Sequence, residues 1–280
     1  MRKTLILLPL LLAATPALAQ SSPAREIAYG TAQLQKLDFH KGTKAAAPLL
    51  VFVHGGGWKR GDKGNATGAE KVAHFTGRGF AFASINYRLV PGATVEEQAQ
   101  DVADALGYLV KHARELGVDP GKVVLMGHSA GAHLAALVAT DPAYLRRAGW
   151  SLDKIAGVVL LDGAAYDVPA QIADGPRIMG DTYRAAFGND PARQRALSPT
   201  LQAAAPNARD FLILHVQRED GTRQSQALGR ALEEAGAHVT VQGLEGRGLR
   251  GHMQINRQLG DPGYPATAVV DRWIDGVLAR

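Results

Sequence analysis

The chain has 280 residues, 46% of them hydrophobic, which suits one large domain with a sizeable core. It contains no cysteine, which excludes disulfides and a lipid-anchored lipoprotein. The formal charge of +5 falls to +3 without Arg2 and Lys3, and the remaining basic residues are scattered (Lys59/Arg60, Arg146/Arg147, Arg247/Arg250), so no nucleic-acid partner is expected.

Residues 1–19 read as a secretory signal peptide. Arg2 and Lys3 precede an apolar run over 5–12, broken by Pro9, and Ala17-Leu18-Ala19 is a small-x-small cleavage site. Cleavage is expected before Gln20, leaving a secreted or periplasmic domain over 20–280. The run is too short to span a bilayer and no later segment approaches that length, so no stable membrane insertion is expected.

Residues 33–40 alternate apolar and polar side chains, as a half-buried edge strand does. Short continuous apolar runs follow at 49–53, 80–85, 122–126, 155–161, 211–215 and 239–242, the pattern of strands buried on both faces of a parallel sheet. Helices are predicted between them, over 95–116, 130–140, 224–235 and 267–278. The first carries an apolar stripe through Val102, Ala105, Leu106, Leu109 and Val110, with a Thr94/Glu97 capping box before it and Gly117 after it. This alternation predicts a doubly wound, mostly parallel α/β sheet with helices on both faces. Residues 163–209 interrupt the rhythm, are rich in Pro, Gly and Asp, and read as a small helical cap or lid.

Two motifs fall at strand ends. Gly127-His128-Ser129-Ala130-Gly131 fits G-x-S-x-G and lies between a strand and a helix, where a sharp turn would lift the Ser129 hydroxyl above the sheet as a nucleophile. His54-Gly55-Gly56-Gly57-Trp58 closes the 49–53 strand. Its glycines leave backbone N–H groups open to a ligand, and the amides of Gly56, Gly57 and Ala130 are the expected oxyanion donors. Trp58 and Tyr166 follow strand ends where aromatic pocket walls would stand, although core packing suits them nearly as well.

With Ile85-Asn86-Tyr87-Arg88-Leu89, His133 and Gly251-His252, these motifs resemble the esterase branch of the α/β-hydrolases, near the feruloyl-esterase-like, hormone-sensitive-lipase-like and kynurenine-formamidase-like families. The resemblance covers residues 32–279. It implies an α/β-hydrolase fold and a serine hydrolase whose catalytic order is Ser, then Asp or Glu, then His.

Of nine histidines, that order leaves His238 and His252. His238 opens its strand at the wrong end of the sheet, so His252, in the loop 243–251 or just beyond it, is the expected base. The acid should follow the 211–215 strand. Relatives often carry His-Gly-x-x-Asp there, which would place it at Glu219, but this chain reads Val216-Gln217-Arg218-Glu219-Asp220-Gly221. Asp220, before a turn-forming glycine, is the expected partner of His252 and Glu219 the alternative; Asp162 or Asp167 comes next if neither serves. His54 and His133 read as structural braces and Arg88/Asp101 as a structural ion pair, and neither a metal nor a cofactor is expected.

The expected function is an exported serine carboxylesterase acting on a small-molecule ester with a short or aromatic acyl group. An amidase or arylformamidase of the same fold is the alternative. A non-catalytic binding protein on this fold is disfavoured, since such proteins usually lose the serine, the histidine or the oxyanion glycines.

Overall fold

The computed structural model describes residues 24–280 except Asn65, Pro176 and Ala205; the expected signal peptide and its cleavage site lie outside the described residues. In chain order the elements are β1 (Arg25–Ala28), β2 (Lys36–His40), β3 (Ala47–Val53), α1 (Ala69–Gly77), β4 (Ala81–Ile85), α2 (Val95–Lys111), α3 (Ala113–Leu116), β5 (Val118–His128), α4 (Ala130–Thr140), α5 (Pro142–Arg147) and β6 (Ile155–Leu161). Four short helices follow, α6 (Val168–Asp174), α7 (Gly180–Phe187), α8 (Pro191–Ala196) and α9 (Pro199–Gln202), before β7 (Asp210–Gln217), α10 (Glu219–Glu234), β8 (His238–Arg247), α11 (Gly248–Gln258) and α12 (Pro265–Leu278).

The strands form one eight-stranded sheet in the order β1-β2-β4-β3-β5-β6-β7-β8. β1 and β2 run antiparallel at one side and every pair from β4 to β8 is parallel. This is the α/β-hydrolase architecture. The central strands are apolar throughout because both faces are covered. Leu49, Val51 and Val53 join α2 and α4 in one core layer, and Leu50 and Phe52 join α1, α11 and α12 in the other. The parallel strands all end on one edge, so residues just after β3, β5, β6 and β7 meet there although they are far apart in sequence.

Local signals act as expected at several points. Thr94 and Glu97 form a reciprocal capping box on α2, and Gly117 ends α3 in the left-handed region. Residues 163–209 carry α6 to α9; their Asp and Pro content is helix-start chemistry. Asp167 and Asp190 accept backbone N–H groups of Ala170 and Ala192 as N-caps, and α6, α8 and α9 each have proline in the first turn.

Three expectations need correction. The 33–40 strand is not the sheet edge, because the four-residue β1, too short to show an alternating pattern, pairs outside it. The predicted 95–116 helix breaks at His112 into α2 and α3. The stretch 243–251 is not a loop. β8 continues to Arg247 and α11 starts at Gly248, through a strand-to-helix turn so close that a Cβ on Gly251 would collide with Gly246. No helix among the described residues is long and apolar enough to cross a membrane.

Candidate active site

Ser129 stands between β5 and α4 with φ 56° and ψ −122°, a conformation that costs a non-glycine residue of order 1–3 kcal/mol and persists only when its surroundings enforce it. Here they do. The Ser129 N–H donates to Leu161 O at 3.1 Å. A Cβ on Gly127 would collide with the Gly131 carbonyl, and one on Gly131 with the carbonyls of Val53 and His54, so both glycines of the motif are sterically required. The serine is partly exposed while its neighbours His128 and Ala130 are buried, at the N-terminus of a helix whose every residue is buried.

The glycine loop after β3 lies directly against this turn: a Cβ on Gly55 would stand 3.0 Å from Ser129 Cβ and from His128 O. Gly56 (φ 135°) and Gly57 (φ 61°) are half-buried at positive φ, and the Ala130 amide opens α4 beside them. The loop is held from outside by the segment around Ile85-Asn86-Tyr87-Arg88-Leu89. Tyr87 donates its hydroxyl to His54 O at 2.9 Å, and Trp58 O accepts the Val90 N–H and the Gln98 side-chain amide. Asn86 takes the Lys63 N–H and donates to Asp62, while Arg88 closes onto the fully buried Asp101 at 2.8 Å, the structural ion pair expected of it.

Trp58 and Tyr166 do not wall a pocket. They are 1% and 0% exposed. Trp58 sits edge-on to His133, Tyr183 and Phe187, binding the glycine loop to α7, and Tyr166 is packed against Gly163 in the same core layer. Both lie under the helical segment, Trp58 against Tyr183 and Phe187 of α7 and Tyr166 with its carbonyl accepting the Thr200 N–H of α9. Above Trp58 the helical segment roofs the loop: a Cβ on Gly57 would meet Thr182 Cγ2 at 3.0 Å.

The buried histidines near Ser129 are held neutral. His133 donates from Nε2 to Leu197 O (2.8 Å) and accepts the Trp58 indole N–H on Nδ1 (3.2 Å), and burial pushes its pKa down to about 4. His54 stacks on Tyr87 with its Nδ1 2.8 Å from Gly55 O, its pKa lowered by burial. His128 donates from Nε2 to the backbone carbonyl of His252 at 2.9 Å. Burial, and then the neighbouring His252, hold its pKa well below the usual range.

That bond places His252 beside the elbow, with its ring 4.5 Å from the His128 ring. His252 is the fifth residue of α11 and its Nδ1 is 2.6 Å from Asp162 Oδ2. Asp162, directly after β6, is fully buried at φ 42°. Its N–H donates to Leu214 O, its Oδ1 accepts the Val216 N–H at 3.1 Å, and the Arg218 Nε stands 3.1 Å from Oδ2.

The expected pairing of Asp220 with His252 is therefore corrected. α10 begins at Glu219, so Asp220 belongs to a helical first turn, where its Oδ2 accepts from Gln171 Nε2 (3.1 Å) and faces Arg218 Nη1 (3.5 Å). Glu219 is exposed and pairs with Arg223. Asp167 caps α6, and His238 pairs with Asp210 at the opposite end of the sheet. The signal for Asp162 is its place after the unbroken apolar run of β6, the same strand-end position that marks the elbow.

An eight-stranded sheet with a serine elbow after β5, a glycine loop after β3 and a histidine-carboxylate pair from α11 and β6 defines the α/β-hydrolase fold. Known proteins agree. The BD-FAE family model matches residues 37–149. The chain is 28% identical over 245 residues to "Probable isoprenylcysteine alpha-carbonyl methylesterase ICMEL1" of Arabidopsis thaliana, covering 80% of this chain and 50% of that protein. It is 28% identical to the esterase LipC of Mycobacterium tuberculosis over 70% of this chain and 51% of that one. It thus spans about half the length of these relatives. The crystal structure of esterase B from Lactobacillus rhamnosis superposes with a TM-score of 0.74 at 22% identity, covering 92% of this chain and 87% of that one, and shares the fold.

Proposed function

We propose that the protein is a serine carboxylesterase that hydrolyses small or aromatic acyl esters through an acyl-enzyme, with Ser129 as nucleophile, His252 as base and Asp162 as acid. The observation that carries this is the Asp162–His252 hydrogen bond beside the strained serine. In this mechanism His252 Nε2 takes the Ser129 proton as Oγ attacks the ester carbonyl, and the oxyanion forms against the amides of Gly56, Gly57 and Ala130. His252 then returns that proton to the leaving alcohol. Water, deprotonated by the same imidazole, releases the acid. Asp162 fixes the ring with its proton on Nδ1 and stabilises the imidazolium.

The names of the relatives, methylesterase and esterase, support the reaction class. The close roof of Thr182 over Gly57 supports small acyl groups. A series of aryl esters graded by acyl length, run beside an arylformamide, tests the proposal. Highest kcat/KM on acetyl to butyryl or aromatic acyl esters is expected. Faster turnover of the arylformamide would make the enzyme an amidase instead. Export belongs to the same proposal and rests on residues 1–19: the secreted protein is expected to begin at Gln20 on N-terminal sequencing, and a cytoplasmic protein retaining Met1 would contradict it.

A further inference from the structure

Beyond Asp162 a line of alternating charge continues away from the elbow. Arg218, in the turn between β7 and α10, has a side chain only 16% exposed. Its Nε is 3.1 Å from Asp162 Oδ2, its Nη2 donates to Gly163 O at 3.1 Å, and its Nη1 is 3.5 Å from Asp220 Oδ2. Asp220 is buried in turn and accepts from Gln171, whose own side-chain oxygen takes the Ala165 N–H at 3.0 Å. The order is imidazole, carboxylate, guanidinium, carboxylate, and one oxygen, Asp162 Oδ2, serves both His252 and Arg218.

That shared oxygen has an electrostatic consequence. A charged His252 would meet the attraction of Asp162 and, just behind it, the repulsion of Arg218; Asp220 offsets part of that repulsion. Screening is weak among groups this far from water. The other groups packed around His252 do not supply a competing switch. His128, from β5, is kept neutral by burial, and the phenols of Tyr166 and Tyr264 near Asp162 are pushed up by burial. Lys71, from α1, acts on His128 and is common to every variant below.

We infer that Arg218 and Asp220 are a positioning pair that sets the lower pH limit of turnover: Arg218 anchors Asp162 and restrains the charging of His252, and Asp220 tempers Arg218. This rests on the reading of Asp162 as the acid. Only uncharged imidazole can accept the serine proton, so easing the repulsion moves the acid limb of the pH profile to higher pH and strengthening it moves the limb lower.

The test is kcat/KM against pH on an aryl acetate for the full-length protein and four variants. Arg218→Gln is expected to raise the acid limb by about one pH unit. Asp220→Asn is expected to lower it by less, and Arg218→Lys, which keeps the charge, to leave it close to wild type while reducing kcat. A merely structural role would not give shifts of opposite sign. If Asp162→Asn is inactive but Asp220→Asn leaves the limb unmoved, or moves it the same way as Arg218→Gln, the positioning pair is wrong and the triad stands. If Arg218→Gln does not fold, the Asp220→Asn and Arg218→Lys profiles decide alone. If Asp162→Asn turns over like wild type, the acid assignment fails and this inference with it.

Discussion

The elbow has two flanks built from different materials. On the β3–β5 flank the histidines near Ser129, His54, His128 and His133, are kept neutral by burial, and the shape comes from backbone packed so closely that only glycine fits at Gly127 and Gly131. On the β6–β7 flank ionisable groups are in contact, from His252 through Asp162 and Arg218 to Asp220. In the proposed mechanism the first flank sets where the reacting oxygen sits and the second sets how readily a proton moves. Steric changes should therefore act in steps on the first flank, and charge changes should act by degree and with pH on the second.

The largest effect expected is on the charged flank. Asp162→Asn keeps the shape of the side chain but removes the charge that stabilises the imidazolium, and turnover should fall by about 10⁴ in kcat. Glu219→Gln, exposed and paired only with Arg223, should leave kcat unchanged. Single-turnover and steady-state kinetics on the same aryl ester measure both. A severe Glu219→Gln with a mild Asp162→Asn would return the acid to the β7 loop and dissolve the contrast between the flanks.

On the neutral flank the sharpest probe is Gly56→Ala. At φ 135° an alanine is strained, and its Cβ would collide with the Arg60 carbonyl, so the loop must shift and carry the Gly56 and Gly57 amides with it. The expected loss is about 10²–10³ in kcat, as for removal of one oxyanion donor, with KM little changed. A fall in KM-dependent binding alone, with kcat intact, would show that the loop shapes the pocket without holding the oxyanion.

The two flanks also differ in what a sequence can disclose. Gly56 and Gly127 are needed because of packing against Arg60 and Gly131, four residues on, and Gly55 and Gly131 because the two glycine motifs pack against each other, so the motifs and the strands beside them announce the geometry. Asp162 and His252 are 90 residues apart and meet only because β6 and β7 are neighbours and α11 starts where it does. Asp220 looked suitable because a carboxylate before glycine usually marks a turn; the helix α10 begins one residue earlier and removes it. The parallel core strands were legible as apolar runs, whereas the four-residue β1 and the glycine- and arginine-rich start of α11 carry patterns too short or too polar to read.

The smallest effect expected is on stability, and it concerns the neutral flank's reliance on burial. Lys71 in α1 is fully buried, bonds the Asn256 carbonyl near the end of α11 and lies over the Phe52 ring; burial pushes its pKa down to about 7. In the unfolded chain a lysine titrates near about 10.4. Between those values the unfolded state binds more protons than the folded one, so this residue makes stability rise with pH; below about 7 both states are protonated and its contribution is flat. Lys71→Met removes the titration but also a helix-end hydrogen bond, so its effect at a single pH mixes two terms of opposite sign. The change with pH isolates one of them, because a neutral amine still donates to the carbonyl. Urea midpoints at pH 7 and pH 9.5 should therefore show the difference between wild type and Lys71→Met moving in favour of wild type as pH rises. A difference that stays constant would mean that Lys71 titrates as it does in water, and that burial does not control charge on this side of the sheet.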